Sequence, residues 1–498
     1  DGGVYQVHSN DPYKDVEAAR AEARSYLETS DERYDMITLM NIHQDHGVVA
    51  TLGPEHFHSV EATLMMFDKL TDRGYLNYEE ILIGRRSELA FLKMLNTLKA
   101  AIREAGQENP ELCIYISKWD FWGGDAFRTV LARKTPFTKE EVRDFNDYYA
   151  QVKATGYYTG VGIVYDPYSP AKTSVDAFIR GEDVTAMREL PTRIRSTELA
   201  KKVLATVSDS RDADFVLSKY VYSGGYYYLN ASKLSVAERY RMEGIMDRAG
   251  YSLDLDLSPV RDDTPFPFNV YAKKTEVIDI FMGILPLVLL LAVPLLVILL
   301  RSVKSYSISL WPPVAFAAIS GFAFMLIEIV LMQKFQLFVG DPTRSLIVVL
   351  GGMLLFSGLG SFASGFLPRR ILPFVVLLIP VLLALYGAKL DVWFSSLAHL
   401  RGASRLWAAG GIIAPLAFLM GMPFPNALEA IKEKTSPDFA SLLFGVNGLA
   451  STLGSVGAIF INVSWGYSKS FEVGTIAYIA ALVFFVYFIA RSLRKAKA

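Results

Sequence analysis

The sequence predicts an α/β domain built on a parallel sheet, followed by an all-α polytopic membrane domain of about seven helices. Three observations carry this. Hydrophobic residues make up 52% of the 498, more than one water-soluble domain holds and less than a chain immersed in lipid throughout. Charged residues recur every few positions from Asp1 to Glu276, whereas from Val277 onward long apolar blocks follow one another. Within the first part, short apolar runs alternate with stretches of helical spacing.

"YDMITLMNI", Tyr34 to Ile42, reads as a strand expected in the middle of a mostly parallel sheet. "HSVEATLMMFDKLTDRG" has helical spacing with a glycine stop at Gly74. "EEILIG", Glu79 to Gly84, reads as a second buried strand, and "SELAFLKMLNTLKAAIREAG" as the helix after it. "ELCIYISKW" and "AFRTVLARK" read as an antiparallel edge pair, and Thr138 with Glu141 has capping-box spacing at the start of a further helix.

From Tyr148 to Tyr228 the text is rich in tyrosine and glycine. Two readings stand: a cap that packs aromatic rings against the sheet, or a binding platform for a flat or lipidic ligand. The chain thus divides at 1–147, 148–275 and 276–498, the last part being the membrane domain.

Spans of the roughly 20 residues a bilayer requires are expected near Val277 to Leu300, Trp311 to Met332, Ser345 to Leu367, Ile371 to Leu390, Leu406 to Met422, Ser441 to Val463 and Phe471 to Ala490. "SGLGSFASG" and "GVNGLASTLGSVGA" place small residues on helix faces, which permits close backbone approach between spans. Arg369, Arg370, Arg491 and Arg494 lie on one side, and Lys334, Arg344, Arg401 and Arg405 on the other, so positive charge leaves orientation open.

A formal net charge of −1 supplies no basic field for nucleic acid. The single cysteine, Cys113, excludes a disulfide framework and a thiolate metal cluster, and it suits a reducing cytoplasm. The chain opens on Asp1 without a signal peptide, which leads us to expect a start part-way through a longer polypeptide.

Several ordered motifs carry a resemblance. "DLSPVRDDTPFPFNVY" precedes the first span; "FMLIEIVLMQKFQLFVGDPTRSLIVVLGGMLLFSGLGS", "MGMPFPNALEA" and "FGVNGLASTLGSVGA" follow in order. Together they resemble the membrane-bound spermidine synthase-like proteins, in which a polyamine-synthase or methyltransferase type domain is joined to a multispan domain. The resemblance implies a Rossmann-like soluble domain of the S-adenosylmethionine methyltransferase type whose N-terminal part is missing, including the glycine-rich first loop. It implies S-adenosylmethionine or its decarboxylated form as cofactor. In "EARSYLETSDERYDMITLMN", Glu22 and the backbone of Ala23 would read the adenine ring.

One departure bears on the reaction. Met40 and His43 stand where the family carries two aspartates, and a thioether accepts no proton, so methyl or another alkyl transfer is favoured over spermidine synthesis. Histidines enter instead. "NIHQDHGVVATLGPEHFH" follows the strand end and holds His43, His46, His56 and His58 with Asn41, Asp45 and Glu55. We assign Asn41, His43, Asp45 and His46 as catalytic candidates, imidazole being a suitable base near neutral pH. His56 and His58 are placed behind them as substrate-binding; a metal would need three or four of these side chains to converge, which spacing alone does not show, and no metal ligand is assigned.

Asp262 and Asp263 sit among Pro259, Pro265 and Pro267, where no regular helix runs. They read first as a rigid linker whose carboxylates cap a turn or pair with Arg261 or the domain above, and the resemblance permits a role in substrate binding. Within the spans, Glu328 is a carboxylate at membrane depth. Lys334 or Arg344 is a candidate counter-charge and Asn447 a candidate hydrogen-bond partner.

The reading is an integral membrane protein of a bacterial inner membrane with the α/β part in the cytoplasm. It would be a transferase acting on an amine or lipid-soluble acceptor. Two alternatives stand beside it: a catalytically degenerate subunit docked to other membrane proteins, and a solute transporter with Glu328 as proton carrier.

Overall fold

The computed structural model describes residues 23–41, 54–82, 85–119, 127–156, 160–170, 174–180, 193–205, 210–229, 238, 241–242, 245–246, 255–270, 275–304, 311–368, 370–432 and 437–495. Glu22, His43, Asp45 and His46 therefore lie outside the described residues, and only the backbone of Met40 and Asn41 is described.

A short helix, α1 (Ala23–Thr29), leads into β1 (Tyr34–Asn41). A 3-10 turn at His56–His58 then opens α2 (Val60–Asp68), where the Ser59 hydroxyl caps the helix by accepting from the Ala62 amide. β2 (Leu70–Ile81), α3 (Arg85–Glu104), β3 (Ile114–Trp119), β4 (Phe127–Ala132), α4 (Lys139–Ala154) and β5 (Gly162–Tyr165) complete the domain. The capping box expected at Thr138 and Glu141 is formed. The helix expected to run to Gly74 stops at Asp68, because Leu70 already pairs with Tyr34 and β2 takes over the residues beyond. Gly74 is a strand residue whose missing side chain admits the Tyr34 carbonyl beside a register shift in β1.

The sheet is mixed, with strand order β1-β2-β4-β3-β5. Only β1 and β2 pair in parallel; β4 is antiparallel to both β2 and β3, and β5 is antiparallel to β3. Two expectations are corrected here. Among the described residues β1 lies at an edge, not in the middle, and the sheet is not mostly parallel. The physical reason for the mixture is the connection between β3 and β4, which is too short to carry a crossover and so returns the chain antiparallel. Since β2 and β3 both oppose β4, β1, β2 and β3 share one direction. Between the sheet, α2 and α3 lies an apolar core that includes Phe67, Leu76, Leu95, Ile114 and Val130.

The tyrosine-rich region divides. Tyr149 on α4 stacks on Tyr115 of β3 at 6.2 Å and meets Trp119 edge-on at 5.4 Å, the packing role foreseen for it. After α5 (Ser174–Ile179), β6 (Arg193–Arg195), α6 (Ser210–Lys219), β7 (Tyr220–Ser223) and β8 (Tyr226–Leu229) follow, with the strands forming a separate sheet of order β6-β8-β7.

The second half is helical: α7 (Thr275–Lys304), α8 (Trp311–Val339), α9 (Pro342–Ser364), α10 (Leu372–Ser396), α11 (Gly402–Met420), α12 (Pro423–Lys432), α13 (Pro437–Trp465) and α14 (Tyr467–Lys495). Among the described residues six helical segments are long and apolar enough to cross a membrane, and they coincide with six of the seven expected spans; the remaining expectation, Val277 to Leu300, falls within α7. α8 is the central helix, packed against α9, α11, α13 and α14. Large apolar side chains such as Phe362, Phe374 and Trp407 point outward, as lipid requires and water does not. The small residues serve close approach: a side chain at Gly360 would overlap the Phe418 carbonyl, and one at Gly454 the Phe322 carbonyl. Asp341 caps α9 by accepting from the Arg344 amide at 2.7 Å, with Pro342 at the first helical position, which is the turn expected there.

Candidate functional site

The segment Pro259–Val270 is more than a linker, because its successive residues enter opposite halves of the molecule. Phe266 belongs to the core of the helical bundle, while Phe268 and Val270 belong to the core of the α/β domain. Arg261 pairs with Glu61 at 3.3 Å and also with Glu104. Asp262 accepts two hydrogen bonds from the Arg24 guanidinium, at 2.8 and 2.7 Å, and a third from the Ser59 hydroxyl at 2.6 Å. Asp263 turns the other way and caps α14, accepting from the Ser468 amide at 2.9 Å and the Ser468 hydroxyl at 2.8 Å. Asn269 donates to the Val463 carbonyl at 2.8 Å. Asp262 and Asp263 thus fulfil the pairing and capping roles, at sites far away in sequence.

Gly466 makes this docking possible. It has φ of 88°, and a side chain there would sit 2.5 Å from the Asp263 carboxylate. From the α/β side, α1 is gripped by the bundle: Arg405 bonds Ser25 and pairs with Glu28 at 3.1 Å, and Arg401 bonds the Thr29 carbonyl.

Between these contacts lies a buried polar cluster. One 3-10 turn carries two imidazoles, and they face opposite ways. The His56 ring lies 6.3 Å from the Tyr467 ring of the bundle, and the His58 ring 6.3 Å from the Tyr78 ring of the sheet. Burial drives His56 down to about 4, with the Arg24 and Lys334 charges acting in the same sense, while Asp262 and the Gln333 carbonyl only partly oppose it. His56 is therefore a neutral imidazole at pH 7. The Gln333 carbonyl is the polar group that faces the His56 ring, and the buried Tyr467 hydroxyl makes no hydrogen bond to a described residue. Burial also disfavours the His58 cation, yet a 2.9 Å contact with Glu55, together with the Glu55 and Glu80 charges, outweighs it and raises the pKa. Burial would likewise raise the Asp262 carboxyl, but Arg24 and Ser59 hold it below the usual carboxylate range.

Lys334, 2% exposed, lies below the cluster and pairs with Asp391 at 3.0 Å and Asp263 at 3.7 Å, and Ser470, Asn462 and Gln333 form a hydrogen-bonded chain beside it at 2.6 and 2.7 Å. Two expectations change here. Lys334 does not neutralise Glu328, and Asn447 bonds the Ala317 carbonyl at 2.9 Å, three turns along α8 from Glu328. Glu328 itself is 4% exposed, with no hydrogen bond or ion pair to a described residue.

Sequence reasoning placed His56, His58, Asp262 and Asp263, and the structure brings all four to the junction. It missed Arg24, Ser59, Tyr467 and Arg405. Asn41 ends β1 and is paired in register with Glu80, while Ala23 opens α1. Among the described residues no group of three or more His, Cys, Asp or Glu side chains is arranged to hold a metal ion. Comparison with protein-family models, curated proteins and solved structures finds no match to this chain.

Proposed function

We propose that the chain is a membrane-anchored transferase of the S-adenosylmethionine-dependent kind, related to the membrane-bound spermidine synthase-like proteins, acting on an amine or lipid-soluble acceptor. The observation that carries this reading is His56, a buried, neutral imidazole, facing the ring of Tyr467, whose buried hydroxyl has no hydrogen-bond partner among the described residues, where the α/β domain meets the bundle. A buried polar group left unpaired costs about 1–3 kcal/mol and asks for a guest or a chemical role.

Strand direction supports a nucleotide-fold origin. β1, β2 and β3 run the same way, so their carboxyl ends share one sheet edge, where open α/β sheets bind ligands. Asn41 and Glu80 stand at that edge.

When bound, the sulfonium cofactor would supply the alkyl carbon, its carbon–sulfur bond breaking so that the sulfur leaves as a neutral thioether. His56 takes the proton released as the acceptor nitrogen or oxygen forms its new bond. Tyr467 orients the acceptor from the bundle side, and the Arg24–Asp262 pair fixes the turn that presents His56. His43 and His46 remain candidates for the same proton transfer.

Calorimetric titration of the full-length protein with S-adenosylmethionine tests this. Saturable heat with micromolar affinity is expected; none at about 1 mM ligand would overturn it.

One observation favours the docked-subunit alternative: Val221 and Tyr222 of β7 are 70% and 59% exposed on an edge strand. In that case a stoichiometric partner copurifies in mild detergent and is lost with Tyr222→Ser.

A further inference from the structure

We propose that a cleft at the junction is a binding site for a zwitterionic phosphate–amine headgroup of a bilayer lipid. This stands apart from the transfer reading and needs no cofactor. The half-open cleft, of about 240 Å³, lies between α3, the segment around Thr264 and Phe266, and the end of α13. The cleft has room for several waters, and so for a small headgroup.

The lining carries both signs of charge. Lys93, 5% exposed, brings an ammonium held at 2.8 Å by the Asn269 carbonyl, and Asp256 brings a carboxylate 3.9 Å from it. A simple anion would meet Asp256 and a simple cation Lys93, whereas a phosphate with a tethered amine satisfies both. A second observation points to a guest. The Ser464 hydroxyl, also in the lining, is buried without a hydrogen-bond partner, and a phosphate oxygen would accept from it.

Depth identifies the source as lipid. Ser464 and Trp465 end a candidate membrane span, and Trp465 is 58% exposed at the point where an interfacial tryptophan meets headgroups. The cleft thus opens at headgroup level, with acyl chains left along the outer face of the bundle.

Native mass spectrometry of the full chain, released from micelles doped with phosphatidylethanolamine or phosphatidylglycerol, tests this. Retention of phosphatidylethanolamine is expected to exceed that of phosphatidylglycerol about tenfold, and Ser464→Phe, which fills the cleft, should abolish the difference. Asp256→Asn guards against a misfolded Phe variant: it should remove the preference while phosphatidylglycerol retention stays the same or rises. Equal retention by the wild-type chain, or a preference that survives in Asp256→Asn, overturns the proposal. Displacement by soluble phosphoethanolamine at the same concentration as the lipid overturns the assignment to a lipid.

Discussion

Asp262 and Asp263 are neighbours in sequence, yet Asp262 binds Arg24 of the α/β domain at 2.7 Å while Asp263 caps α14 of the bundle at 2.9 Å. The two bonds differ in worth. Asp262→Asn takes one of two carboxylates from a buried guanidinium, leaving Glu28 at 3.3 Å, and should cost about 2 kcal/mol; Asp263→Asn keeps a capping side chain, leaves Lys334 its pair with Asp391, and should cost under about 1 kcal/mol. Chemical denaturation in detergent, followed by protease sensitivity of the junction, checks the order. Arg24→Met with Asp262→Leu should recover much of the first loss.

Acid should loosen the junction through His56. Its pKa is lowered from 6.5 to about 4 in the folded protein, so between those values the unfolded chain binds a proton that the folded chain refuses. Stability then falls as pH drops through this window, by ~3 kcal/mol in full. Asp262, also lowered, adds to the fall at lower pH. His58 has the opposite sign: its raised value favours the folded form at low pH, and that contribution disappears as pH rises through the folded value. Unfolding free energies of wild type and His56→Gln at pH 7 and 4.5 should differ, the variant showing the flatter profile.

Gly466→Ala should unseat the α13–α14 turn from Asp263. The left-handed backbone costs a residue with a side chain about 1 kcal/mol, and the close approach of the carboxylate adds to it. Hydrogen exchange of the Tyr467 and Ser468 amides, which bond Asp263, should rise at least tenfold in the variant.

Glu328→Gln replaces a buried carboxyl, whose described electrostatic neighbour is the uncharged Tyr478 side chain, with a neutral group of similar size. The melting temperature in detergent should hold or rise, since no ion pair is broken. If Glu328 carried protons for a transported solute, uptake into proteoliposomes would collapse in the variant; under the transferase reading it has no effect on solute flux.

Local signals were legible in the sequence and pairings at a distance were not. The spans, the Thr138 capping box and the Asp341 turn each follow from residues within a few positions of one another. Strand order was misjudged because alternation of strand and helix says nothing about which strand inserts beside which; β4 entered between β2 and β3 through contacts no local window contains. Likewise Arg24 and Asp262 lie 238 residues apart, and nothing around Arg24 marks it out. The clue present in the text was the pair of aspartates among prolines, which occupy the centre of a tight turn from Arg261 to Thr264, since acidic residues that neither helix nor strand explains find partners elsewhere. His56 stands in the sequence as a substrate-binding candidate, but its burial against Tyr467 depends on a bundle helix that no local window contains.

The alternation of Phe266 and Phe268 between the two cores gears the halves of the molecule together. A tilt of the bundle in response to bilayer thickness or tension would pull directly on the turn that carries His56 and His58, because the amides of Glu55 and Val60 on either side of it bond the Pro265 and Val260 carbonyls.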